Sequence, residues 1–278
     1  MSAAIATAVR PIARPRQSIF RNRVVRAVIS IASFVILWEI GSRLKLPWVG
    51  DVPAPTVVMK AWVPLLHDPG YWYSWYQSSR RVLTGFVAAM LVGIPLGLAM
   101  ATSRVFRDIT FPVFEILRPV PPLAWVPAAI IFWPTQELSI GFVIFLGAIF
   151  TIMLNVIGGA RSIDVRFFQA ARSMGSSNWD IFRRIVLPGV LPSIVVGCEV
   201  GIGITWNVVV AAEMISGGGG AIQSSAGGGL GFFIWSSYIG GSYPLIVVGM
   251  ISIGIAGYIS SAIIRRLGML VMPWVRVR

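Results

Sequence analysis

The sequence predicts an all-α polytopic membrane protein with about six transmembrane helices. Three observations predict it. Only 12% of the 278 residues are charged, about half the share usual in a soluble domain. Hydrophobic residues make up 56%, and the mean hydropathy is +0.80. Apolar runs close to the ~20 residues that cross a hydrocarbon core recur along the chain, separated by polar or proline-rich stretches. The net charge of +13 would point to nucleic acid in a soluble protein. In a membrane chain its placement is what carries information. No internal repeat is evident, and the single cysteine, Cys198, excludes an intrachain disulfide.

Residues 1–26 form a basic leader with Arg10, Arg14, Arg16, Arg21, Arg23 and Arg26 and no acid. Such a start imitates a transit peptide. An apolar run from Val28 to Ile40 follows without a small-residue cleavage site, so it reads as an uncleaved first span, about 28–41. Pro53 and Pro55 stop that helix, because proline lacks the N–H donor and restricts the residue before it. Tyr71, Trp72, Tyr73, Trp75 and Tyr76 suit chain lying at a membrane–water boundary. Further spans are expected at about 82–101, 111–133, 138–157, 189–215 and 243–264. Together with the first they make one membrane domain, 27–270, and a short tail, 271–278. The Gly217–Gly231 loop reads as a flexible outer linker or as a re-entrant lining of the outer mouth.

Charge placement orients the spans. With the N-terminus in the cytoplasm, 17 of the 23 basic residues fall inside. These are the leader six, Arg104 and Arg107, the five of Arg161–Arg184, and Arg265, Arg266, Arg276 and Arg278. The loops after spans three and five contain none. The positive-inside rule therefore predicts that both termini and the loop of about 161–188 are cytoplasmic.

That loop is the one charged, amphipathic interruption between long apolar runs. It reads as two short helices. Ile163, Phe167, Ala171 and Met174 share a face; Gly175 takes the place where helices turn off through a left-handed residue. Ser176, Ser177 and Asn178 offer an N-cap, with Asp180 in the following turn. Trp179, Phe182 and Val186 line the second helix, and Pro188 marks its join to span five. Composition leaves two readings open: a helix lying on anionic lipid, or a docking element for a partner.

Gln169-Ala170-Ala171, Gly175 and Ile185-Val186-Leu187-Pro188 resemble the EAA loop of bacterial ABC importer permeases in residues and spacing. Leu117–Pro127, Ser79–Phe86, Val52–Thr56, Ala211–Ile215 and Gly228–Phe233 are similar to segments of the permeases for nitrate, taurine, alkanesulfonates and bicarbonate. The resemblance runs from about Trp38 to Trp274. It implies a type I importer fold in the bacterial inner membrane, worked as one of two permease copies. It also implies a cytoplasmic ATPase that holds the ATP and Mg, and a periplasmic or lipid-anchored solute-binding protein. It nominates Gln169, Ala170, Ala171, Met174, Gly175, Ser176, Trp179, Leu187 and Pro188 for coupling to the ATPase. Gln169 departs from the pattern, which has glutamate there; an amide still hydrogen-bonds but cannot form that acid's ion pair. No cofactor, metal or nucleic acid is expected in this chain.

The proline-rich run has a physical reading of its own. Pro119, Pro121, Pro122 and Pro127 remove backbone donors in mid-membrane, where carbonyls left unpaired survive only beside protein or water. Broken helices of this kind point to a transport path. Arg118 is the only basic residue expected inside a span. It attracts a passing anion, or it pairs with Glu115 one turn back or reaches the interface. Glu199 and Asn207, eight residues apart, fall near one face of span five, turned to a lumen or a second copy, or used for helix–helix hydrogen bonds. Glu213 is expected near the outer end, either solvated or as a gate or loop anchor.

Other chemistry is absent from the pattern. The two lysines, Lys45 and Lys60, are followed by Leu46 and Ala61, so there is no Walker A lysine and the glycine-rich loop is no phosphate cradle. His67, the lone histidine, stands beside Asp68 and Pro69 with no ligand cluster. No nucleophile–base set is visible, so the chain does not read as an enzyme. The alternative from another class is a self-powered channel or secondary transporter that uses Arg118 and Glu199.

Overall fold

The computed structural model describes residues 23–47, 50–217 and 228–274. Among these every regular element is a helix. The leader up to Asn22, most of the Gly217–Gly231 loop and the last four residues lie outside them. The chain divides into two compact units, Met1–Val57 and Val58–Arg278.

In the first unit, α1 (Arg23–Arg43) is long and apolar enough to cross a membrane. Its end is tied to the proline turn by Glu39, which accepts from the Thr56 N–H at 3.1 Å and the Thr56 hydroxyl at 2.9 Å and pairs with Arg43. Ser42 donates to the Val52 carbonyl at 2.6 Å. Helix α2 (Pro55–Leu65) starts on Pro55, a first-turn position where the missing N–H costs nothing.

The second unit is built on three tightly packed helices. Helix α3 (Pro69–Thr102) is capped by Asp68, which accepts from the Gly70 N–H, and begins on a proline. The aromatic stretch expected to lie at the boundary is thus the first two turns of this helix. Helix α4 (Arg104–Leu117) starts on the Ser103 cap, and α5 (Val126–Phe132) follows a 3-10 turn, Pro122–Trp125. The segment expected as one third span is therefore two, and Pro122–Phe132 is bent by 86° from α4. Single prolines are carried inside α3 at Pro95 and α4 at Pro112; Pro119, Pro121 and Pro122 crowd three rings and three missing donors into four residues, which explains the break.

Helix α6 (Gln136–Arg161), capped by Thr135, is the centre of the unit. Glycines let α3 pack closely along it: a Cβ on Gly85 would meet Ile144 at 2.6 Å, and one on Gly97 would meet Val156 at 2.8 Å. Small residues are how membrane helices approach without a hydrophobic driving force. Because 85 opposes 144 and 97 opposes 156, α3 and α6 run parallel, and α4–α5 is the return between them.

Helix α7 (Val165–Ser173) and the short α8 (Asn178–Ile181) follow, then α9 (Leu187–Gly217). The second short helix and span five, expected to join at Pro188, are one continuous helix. Helix α8 continues into α9 through a π turn, Phe182–Val186, closed by the Leu187 N–H on the Phe182 carbonyl. Widening the helix just before Pro188 makes room for a ring that would otherwise strike the carbonyl four residues back. Helix α9 runs antiparallel to α6, Gly197 lying against Asn155 and Gly147 against Val208. Helix α10 (Leu230–Ile239) was not foreseen; ten residues are too few to cross a membrane, and their apolar run merged with the glycine-rich loop. Helix α11 (Tyr243–Val271) is longer than the sixth span expected and lies antiparallel to α9. The ends of α3, α6 and α11 and the start of α9 thus share one end of the unit with α7–α8.

Candidate functional site

At that end the chain builds an exposed two-helix projection. Asp164 caps α7 by accepting from the Arg166 N–H at 2.8 Å. Gly175 leaves the helix at φ +75°. The Ser176 N–H reaches the Ala171 carbonyl at 3.0 Å and the Gly175 N–H the Arg172 carbonyl at 3.0 Å. This is a complete Schellman closure. Ser177 is the N-cap of α8 and forms a capping box with Asp180. Two rigid caps therefore hold a tight elbow. Ala171 is buried beneath it, whereas Met174 is 78% and Trp179 67% exposed. Gln169, Ala170 and Gly175 are exposed, and Ser176 and Pro188 half-buried. The Trp179 ring stacks on Phe182 at 5.6 Å. A Cβ on Gly175 would meet nothing within 4 Å.

A second surface lies along the membrane-spanning part. Pro119, Pro121 and Pro122 withhold the N–H groups that would reach the carbonyls of Glu115, Leu117 and Arg118, four residues back. Arg118, Pro119 and Pro121 are exposed. Of the readings open for Arg118, the pairing with Glu115 does not occur: among the described residues neither side chain makes an ion pair. They face a small cavity with Phe111, Phe114, Phe150, Met153 and Leu154. Leu154 also borders an open cleft of about 420 Å³, where Asn155, Gly158 and Ser162 face Ser193.

Helix α9 has three faces. Gly197 and Gly201 meet α6. Glu199 pairs with Arg265 of α11, and the Trp206 indole donates to Ser260 at 3.2 Å. The third stripe, Val196, Val200, Gly203 and Asn207, is open: the valines are 51% and 48% exposed, Asn207 is exposed, and a Cβ on Gly203 would touch nothing. Asn207 and Glu199 are thus on neighbouring faces, one open and one bonded. The α4 edge borders the cleft through Leu154, and the stripe begins one turn beyond Ser193 of the cleft, so the three adjoin, with Arg118, Asn155 and Asn207 as polar groups among them.

At the opposite end lies a buried charge cluster that sequence reasoning did not assemble. The Arg81 guanidinium donates to Glu213 at 2.9 Å and to Glu137 at 3.1 Å. Glu213 also accepts from the Ser78 hydroxyl at 2.8 Å and the Gly231 N–H at 2.9 Å. Ser78 in turn accepts from the Leu230 N–H at 2.8 Å. Arg80 reaches Glu137 from the surface at 3.1 Å. Glu213 is 2% exposed, so it anchors the start of α10 and faces neither water nor an open mouth. Gly229 and Gly231 press against the Glu213 side chain so closely that no Cβ fits at either. A signal was present. Three of the segments that carried the resemblance supply members of it: Ser79–Phe86 gives Arg80 and Arg81, Ala211–Ile215 gives Glu213, and Gly228–Phe233 gives Leu230 and Gly231.

The fold and these surfaces define an all-helical polytopic membrane protein with a broken span and a projecting two-helix loop. Its relatives identify the family. Residues 93–277 match the binding-protein-dependent transport system inner membrane component family. Over 268 residues the chain is 33% identical to the nitrate import permease protein NrtB of Synechocystis sp., covering 93% of each. It is 29% identical over 258 residues to the taurine transport system permease protein TauC of Escherichia coli, covering 91% of this chain and 90% of that one. Among solved structures it is similar to a chain of the MetNI methionine ABC transporter, with a TM-score of 0.59 and 17% identity over 70% of this chain and 93% of that one. The chain belongs to the family of binding-protein-dependent inner membrane components and is an ABC importer permease.

Proposed function

We propose that this chain is one of two permease copies in an ATP-driven importer of a small anion, of the nitrate, sulfonate or bicarbonate class. A separate cytoplasmic ATPase, which holds the ATP and Mg, drives it through the α7–α8 elbow. The observation that carries this reading is the elbow itself: a doubly capped, rigid projection whose apolar Met174 and Trp179 are left uncovered. Rigid exposed aromatic and methionine side chains suit a protein interface. Nine arginines, Arg104, Arg107, Arg161, Arg166, Arg172, Arg183, Arg184, Arg265 and Arg266, lie at that end, which supports a cytoplasmic placement.

Gln169, Ala170, Met174, Gly175, Ser176 and Trp179 form the contact, Ala171 packs beneath them, and Leu187 and Pro188 carry its motion into α9 through the continuous helix. The polar side formed by the α4 bend, the Asn155 cleft and the α9 stripe faces the path and the second copy. A periplasmic or lipid-anchored binding protein delivers the solute to the end that holds Arg81. The names of the nitrate and taurine relatives support the solute class.

Affinity purification of the tagged chain from its native membrane tests this. An ATPase chain in stoichiometric amount is expected, as is nitrate or taurine uptake that requires ATP. Uptake by this chain alone in liposomes would replace the reading with a self-powered channel or secondary transporter.

A further inference from the structure

Glu115 and Arg118 are opposite charges one turn apart on α4, both exposed. Their depth follows from their neighbours. The Phe114 ring packs edge-on against Phe150, centroids 6.1 Å apart. Phe150 lies 14 residues into the 26-residue α6, so these charges stand about 21 Å along a helix of about 39 Å. At that depth a charge needs a partner or a water-filled cavity. Within the described residues neither side chain has an ion-pair or hydrogen-bond partner. The lipid-facing side of α4 is elsewhere on the helix, at Val105, Ile109 and Ile116, each at least 70% exposed. The charged edge instead borders the cavity shared with Leu154 and, through it, the polar cleft.

From this we infer that Glu115 and Arg118 form a reciprocal clasp with a second copy of this chain, Glu115 of each pairing with Arg118 of the other. The inference rests on the two-copy reading given above. A two-fold interface brings residue i of one copy to residue j of the other and j to i at once. A neighbouring acid and base on one helical face are therefore self-complementary: one interface closes two ion pairs and neutralises four charges. A passing solute would neutralise them only while bound and would leave them unpaired at rest. Placed where the third span breaks, the clasp sets the register of the two copies across the path.

Charge exchange in the full complex tests the clasp. Glu115→Arg and Arg118→Glu, singly, are each expected to lower the yield of complexes containing two permease copies at least ten-fold. The double exchange is expected to restore it to within two-fold. In a Cys198→Ala background, co-expression of one tagged copy with Glu115→Cys and a differently tagged copy with Arg118→Cys should give a disulfide between the tags on mild oxidation. Single exchanges that pair normally would overturn the clasp. So would single exchanges that pair normally but lose uptake, a result that would assign both charges to the solute. If the exchanged chains fail to accumulate, the cysteine pair decides alone: a link between tags supports the clasp and its absence overturns it. These readouts report permease pairing only, so a missing ATPase would remove the proposed function without touching this result.

Discussion

Arg81 and Glu213 form an ion pair at 2.9 Å with side chains only 4% and 1% exposed, joining helices more than 130 residues apart in sequence. Burying charges is expensive, and such a pair persists only when the remaining donors and acceptors are satisfied. Here they are, by Glu137, Ser78 and Gly231. The cluster therefore locks α3, α6, α9 and the start of α10 together.

Removing one partner should be more harmful than removing both. Arg81→Met leaves the Glu213 carboxylate buried without its cation, and Glu213→Leu leaves the Arg81 guanidinium with Glu137 as its one carboxylate and the Gly231 N–H without an acceptor. Each is expected to destabilise the purified protein by about 3–5 kcal/mol. The double variant, Arg81→Met with Glu213→Leu, should recover part of that loss. Thermal unfolding in detergent measures it, and additive losses in the double variant would reject the lock.

The glycines of the α3–α6 contact make a second, independent prediction. Gly85→Ala and Gly97→Ala place a Cβ at 2.6 and 2.8 Å from Ile144 and Val156, and overpacking of this kind costs about 1–3 kcal/mol. Gly141→Ala, on α6 itself, meets nothing within 4 Å. It should be neutral or stabilise by up to about 1 kcal/mol through helix propensity. The melting temperatures of the three variants are therefore expected to separate, with only the first two falling.

Much of this architecture is legible in the sequence because the membrane simplifies the code. Apolar length marks the spans, arginine placement separates their ends, and Gly175 with Ser177 and Asp180 spells out a helix stop and start. Boundaries were harder to read. The aromatic turns of α3 look interfacial because Tyr71 and Trp75 are amphipathic, yet Tyr71 is buried and bonded to Ser252 at 2.7 Å. Pro188 reads as a join between two helices, but a π turn carries one continuous helix through it. The Arg81 cluster was illegible for a different reason. Its members are scattered over residues 78–231 and only the fold brings them together, whereas hydropathy treats each as an isolated charge at a span end.

Surface exposure at the elbow predicts a loss of binding without a loss of stability. Met174→Ala removes atoms that are mostly exposed and Trp179→Ala gives up only the exposed stack on Phe182, so the melting temperature of the isolated chain should change little. An interface anchor of this type, by contrast, contributes about 2 kcal/mol or more on truncation. ATPase retention during purification should therefore fall roughly thirty-fold or more in affinity for Trp179→Ala. A stability loss without a binding loss would place these side chains in the core of the fold instead.

Gly175 separates the two roles of the elbow most cleanly. Its φ of +75° makes any side chain unfavourable, by about 1–2 kcal/mol for the left-handed conformation, yet the space around it is empty. Gly175→Ala should therefore cost that amount in local stability and leave coupling partly intact. Gly175→Arg carries the same backbone cost but fills the docking surface with a long cation. If the elbow seats in a partner, uptake and ATPase binding should be abolished by arginine and only weakened by alanine, while the two variants melt within a few degrees of each other. Equal losses for both would mean that the turn matters only as backbone geometry, and unchanged binding for both would remove the elbow from the coupling path.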